Sequence, residues 1–180
     1  MRLAGSIFLA ATCACSLAQA APWKHYTEPT LGWTIAYPAG WKIDTQYASI
    51  DKGIKGVSFA IPDGYQPGTN LSHDNTLLSV ESLPGQDCTP SQFVDPAEDV
   101  HTVHADGRTY TAASSGDAGA GNFYDVSIFV VNGTSPCIAV RYLVHSTNIG
   151  AYDPGTIKAF DAAKLTAAFD AIRATLKFGK

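Results

Sequence analysis

Two neighbouring runs, residues 123–131 and 136–145, set the tightest limit on what this 180-residue chain can fold into. Both are rich in aromatic and β-branched residues and are joined around Asn132-Gly133, so both read as strands. Alternation puts Phe123, Phe129 and Val131 on one face and Tyr124, Val126, Ile128 and Val130 on the other. In the second run Ile138, Val140, Tyr142 and Val144 share a face. Strands that are apolar on both faces are covered on both sides, which makes these two the centre of a sheet. Arg141 interrupts the second run, on the face of Cys137 and His145. An arginine there either pairs with Glu81 or another acid, or points into a recognition cleft.

The period changes near the C-terminus. Leu165, Phe169, Ile172 and Leu176 recur at helical steps beside Ala168, which leaves Lys164, Asp170, Arg173 and Lys177 able to stay in water. Thr156 or Asp161 suits the cap of this helix and Gly179 its end. Its apolar stripe covers one face of an antiparallel or mixed sheet. Further strands are expected at 32–37, 41–43, 56–61 and 76–83, with Pro38, Pro62 and Pro84 closing three of them. Residues 100–105 and 108–113 suit a hairpin turned by Asp106-Gly107. Pro90 opens a short helix around Gln92-Phe93, 21–29 reads as a lead-in, 65–75 as a loop and 117–122 as a flexible turn. No repeat or long linker divides the chain.

The first twenty residues carry a basic start at Arg2, an apolar run through Ala11 and a small-x-small site at Ala18-Gln19-Ala20. That pattern is a cleavable secretory leader, residues 1–20, ahead of one domain over 21–180. Cys13 and Cys15 lack the approach sequence of a lipidated cysteine, and cleavage after Ala20 discards both. Arg2 is the leader's one charged residue, so its removal takes the formal charge from −4 to −5. An acidic chain without a basic cluster is a poor partner for nucleic acid. Cys88 and Cys137 are left as a pair in an oxidising compartment, where a disulfide between them is expected, free thiols or intermolecular pairing being the alternatives. The expected location is the periplasm, as a soluble chain with no membrane-spanning segment after cleavage; release outside the cell is the alternative.

Tyr37-Pro38-Ala39-Gly40-Trp41, the Gly56-Val57-Ser58-Phe59 strand and the terminal run Phe169–Phe178 together resemble the PsbP-like group of small exported proteins. The resemblance implies a single-domain α+β fold: an α/β/α sandwich with a curved, mainly antiparallel sheet, helices on both sides and a C-terminal packing helix. It raises binding or assembly roles and carries no transferable active site.

Two loops share a pattern, Gly68-Thr69-Asn70-Leu71 before His73-Asp74, and His145 to Gly150 before Tyr152-Asp153. Their amides, hydroxyls and carboxylates either line a polar recognition cleft or close local turns. On the first reading Asn70, Asp74, His145, Asn148, Tyr152 and Asp153 are ligand-binding candidates, with Arg141 charging the surface from the adjacent strand. No HExxH motif, compact His/Cys set or EF-hand spacing is present, so neither a metal nor a cofactor is expected. No Gly-x-Ser-x-Gly elbow occurs either. The expectation is a nonenzymatic envelope protein that binds a peptide, another envelope protein or a small polar ligand. The alternative is a metal-independent hydrolase built on Ser146, His145 and Asp153.

Overall fold

The computed structural model describes residues 22–50 and 52–179. The expected leader, with Cys13 and Cys15, lies outside the described residues. β1 (Trp23–Thr27) and β2 (Thr34–Pro38) form an antiparallel hairpin of their own. The lead-in is therefore a strand. It is mostly exposed and shows no apolar alternation, and only its backbone pairing with β2 makes it one.

The main sheet contains β3 (Lys42–Asp44), β4 (Gly56–Ala60), β5 (Leu77–Leu83), β6 (Glu98–Ala105), β7 (Arg108–Gly119), β8 (Asn122–Val131) and β9 (Cys137–Thr147). Their order is β3-β4-β5-β9-β8-β7-β6, every neighbouring pair is antiparallel, and the sheet is open at both ends. The last strand in sequence thus sits in the middle, between β5 and β8. That place explains why β9 is apolar on both faces.

Turn chemistry fixes the β6–β7–β8 meander. Asp106 and Gly107 take φ of 56° and 71°, the pair of left-handed residues that a two-residue hairpin turn requires. Ala120 and Gly121 do the same between β7 and β8, at 49° and 79°. The expected flexible turn at 117–122 is accordingly shorter, since β7 runs to Gly119 and pairs with Asn122. Small residues such as Gly116 and Ala118 give no periodic signal, so sequence alone does not extend the strand through them.

One face of the sheet carries α2 (Ala162–Arg173) and the β1–β2 hairpin. Leu165, Phe169 and Ile172 of the helix are buried against Phe59, Leu78, Val140 and Tyr142. Truncating a ring such as Phe169 to alanine costs about 3–5 kcal/mol in a core of this kind. The Asp161 carboxylate caps the helix, accepting from the Lys164 amide at 2.9 Å. The helix stops at Arg173, well before Gly179. The tail beyond it is held instead by β2, through reciprocal 2.8 Å hydrogen bonds between Thr34 and Lys177.

The opposite face has a thinner cover. α1 (Pro90–Phe93) starts at a proline, as expected, and is only four residues long. Phe93, Val94 and Ile54 pack there on Ala113, Ile128, Val130 and Ala139. Cys88 and Cys137 form a disulfide, with Cα atoms 5.5 Å apart, that ties the segment after β5 to the start of β9. The two helical layers are unequal. Among the described residues, this face is covered by α1, by Cys88 and residues 94–97 on either side of it, and by the loop that carries Tyr47, Ile50 and Ile54.

Candidate functional site

The two polar loops meet, and they meet by pairing with each other. Leu71 and Ser146 form an isolated antiparallel bridge, flanked by Thr147 N–H donating to the Asn70 carbonyl at 2.9 Å and Ser72 N–H donating to the His145 carbonyl at 2.9 Å. The Asn70 side chain donates to the Thr147 carbonyl at 2.8 Å and accepts from the Phe160 amide at 3.0 Å. Buried His145 donates from Nδ1 to the Asp74 carbonyl at 2.6 Å, and its Nε2 lies 2.9 Å from the Asn122 side-chain amide. Tyr124 stacks on the imidazole at 4.4 Å between ring centres. Asn70, Asp74 and His145 are thus joined in one hydrogen-bonded corner.

Asn148, Tyr152 and Asp153 lie on the exposed outside of that corner. Asn148 Oδ1 accepts from the Gly150 amide at 2.9 Å, and the Tyr152 hydroxyl is 3.1 Å from the Thr147 hydroxyl. The Asp153 carbonyl closes a turn by accepting from the Thr156 amide at 3.1 Å. Ser146 and His145 are consecutive on β9, so their side chains point to opposite faces of the sheet. The imidazole is engaged by Asp74 and Asn122, and this geometry builds no serine–histidine relay. Among the described residues, no group of three His, Cys, Asp or Glu side chains could hold a metal ion.

Arg141 belongs to different surroundings. It is 2% exposed, and its Nε donates to Glu81 Oε1 at 2.8 Å while Nη2 donates to the Phe93 carbonyl at 2.6 Å. The ion pair with Glu81 sits under the thinly covered face. Two clefts open above that face. One, of about 550 Å³, is lined by Val94, Asp95, Asp117, Tyr124, Val126 and Arg141. The other, of about 430 Å³, is lined by Lys42, Asp44, Ser58, Ala60, Asn75 and Leu77. Both are also lined by Tyr47, Ile50 and Leu143, so they adjoin along the 47–50 loop. Ile50 stands on this loop 77% exposed, an apolar side chain held out over the groove.

The charges around the groove are uneven. Arg141 is neutralised by Glu81, and Lys42 by Asp63 at 2.7 Å. The hydrogen bond and charge of Lys42 hold the Asp63 carboxyl below its ordinary pKa. Among the described residues no ion pair engages Asp44, Asp95 or Asp117. Apart from Arg141, sequence reasoning missed this groove. Its floor residues read as ordinary strand positions, and the one outward signal, an isoleucine in a loop, is common on protein surfaces. A further cleft of about 550 Å³ beside β1 and β4 has its rings Tyr26 and Trp33 already packed together at 5.6 Å.

No helix among the described residues is long and apolar enough to cross a membrane. No protein-family model matches the chain, and no curated protein does. Solved structures do. A crystal structure from Bacteroides thetaiotaomicron VPI-5482 is 15% identical over 87% of this chain, with a TM-score of 0.52; the chain spans 48% of that protein's length. The solution structure of cyanobacterial PsbP (CyanoP) from Synechocystis sp. PCC 6803 is 15% identical over 94% of this chain and 98% of its own, with a TM-score of 0.49. At this identity the Bacteroides protein shares the fold with this chain.

Proposed function

We propose that this chain is a nonenzymatic binding protein of the bacterial envelope, exported by its leader to the periplasm, and that it holds a partner polypeptide in the groove on the thin face of its sheet. The observation that carries this reading is the groove itself. It combines an apolar floor at Leu77, Val126 and Leu143, aromatic walls at Tyr47 and Tyr124 and an exposed Ile50, features expected of a protein-binding patch. Arg141 lies in the floor as half of a buried ion pair. Asn70, Asp74 and His145 brace the adjoining corner, and Asn148, Tyr152 and Asp153 offer a polar surface beside it. The hydrolase alternative draws no support from a histidine whose ring nitrogens face Asp74 and Asn122.

The test is a photo-crosslinking amino acid at position 50, compared with the same probe at Val100 on the far edge strand, in the native envelope. A discrete adduct from position 50 and none from position 100 supports the reading. Equal labelling from both positions, or none from position 50, overturns it.

A further inference from the structure

We infer that the partner segment is basic at both ends and apolar between, and that it crosses the groove in extended form. This rests on the groove being the binding site and adds the chemistry of its occupant.

Asp44 lies on β3, at one end of the groove, while Asp95 and Asp117 lie at the β7 end. Between them the floor crosses β4, β5, β9 and β8, contributing Ala60, Leu77, Leu143 and Val126. From β3 to β7 is five strand spacings, about 24 Å at about 4.8 Å each. An extended chain rises about 3.3 Å per residue, so about seven residues span the distance. Of the cations near the groove, Lys42 and Arg141 are matched by Asp63 and Glu81, and Lys52, on the loop beyond Ile50, donates to the Ser91 carbonyl of α1 at 2.7 Å. Among the described residues that line the groove, the charge without an ion pair is therefore negative and lies at its two ends. Tyr124 at the β7 end adds a ring face on which a lysine or arginine can rest. The complementary ligand carries cations about seven residues apart flanking apolar side chains, the central ones lying over Ile50.

The experiment uses an acetylated, dye-labelled peptide of about eight residues with lysine at each end and alternating leucine and serine between, matched to that span. Controls carry glutamate at both ends, or the two lysines side by side in the centre. Binding to the exported, oxidised protein is read by fluorescence anisotropy at low and high salt. The inference expects the end-lysine peptide to bind, salt to weaken it, and both controls to bind at least about ten-fold more weakly. D44N combined with D95N and D117N should cost about ten-fold and I50S about five-fold; these positions are exposed, and an unchanged thermal midpoint confirms folding. Equal binding of all three peptides, weakened by I50S, overturns the basic-partner inference and leaves the groove standing. Binding of the end-lysine peptide that ignores I50S overturns both, as does no binding at all.

Discussion

Arg141 and Glu81 face each other across β9 and β5 with a forked contact, Nε to Oε1 at 2.8 Å and Nη2 to Oε2 at 3.3 Å, and both side chains are almost fully buried. Neutralising one member of such a pair removes the charge that its buried partner was placed to meet. E81Q should therefore destabilise the protein by about 3–5 kcal/mol, whereas E81L with R141M should recover most of that loss. Urea denaturation of the single and double variants measures the coupling. Equal stability of E81Q and the parent contradicts this account of the pair.

Stability should fall at alkaline pH, and Tyr142 should account for part of the fall. Burial holds its hydroxyl far above the ordinary tyrosine pKa, and the hydroxyl donates to Asp170 at 2.8 Å, tying β9 to α2. Below about pH 10 the tyrosine is protonated in both folded and unfolded chains, and its contribution is complete. Above that, only the unfolded chain ionises, so each further pH unit removes about 1.4 kcal/mol for this group. Y142F should flatten the slope above pH 10 while losing the hydrogen bond at neutral pH. An unchanged slope assigns the alkaline loss to other groups.

The disulfide closes a long loop, with a sequence separation of 49. C88A, C137A or reduction should each lower stability by about 2–4 kcal/mol through the freed unfolded chain. Denaturation with and without reductant checks this, and both cysteine variants should then be insensitive to reductant.

Arg173 is nearly buried under the β6–β7 turn, and a lysine should not replace it. Its guanidinium lies 4.4 Å from the centre of the Phe129 ring, pairs with Asp106 at 3.1 Å and with Asp170 at 3.0 Å. A planar group stacks and forks in a way a point charge does not, so R173K should cost about 1–3 kcal/mol. Hydrogen exchange should show the loss concentrated in amides around Asp106. A uniform loss across the sheet contradicts a local clamp.

The central strands, the C-terminal helix, the Asp106-Gly107 turn and the cysteine pair were legible in the sequence because each leaves a local mark: alternation, a helical step, a left-handed residue pair, two thiols. β1 and the far end of β7 were not, since exposed or small residues join a sheet through backbone bonds that no side-chain pattern records. Arg141 and Glu81 were visible as possible partners because a charge inside an apolar strand needs an acid beside it; the register that sets Arg141 opposite Ser79, two residues from Glu81, follows from the fold. The meeting of Asn70 with Thr147 was suggested by two similar loops, but the use of those amides on each other follows from the fold. The groove depends on what does not cover the sheet. Its residues come from six strands and three loops, and no stretch of chain announces such a surface.

The measurement that bears most directly on the groove is the amide chemical-shift map of the isotope-labelled protein titrated with the polypeptide captured from position 50. The account predicts shifts clustered at Tyr47, Ile50, Leu77, Tyr124 and Leu143, with α2 unaffected. Shifts confined to α2, or to the Asn148–Asp153 surface, would contradict it.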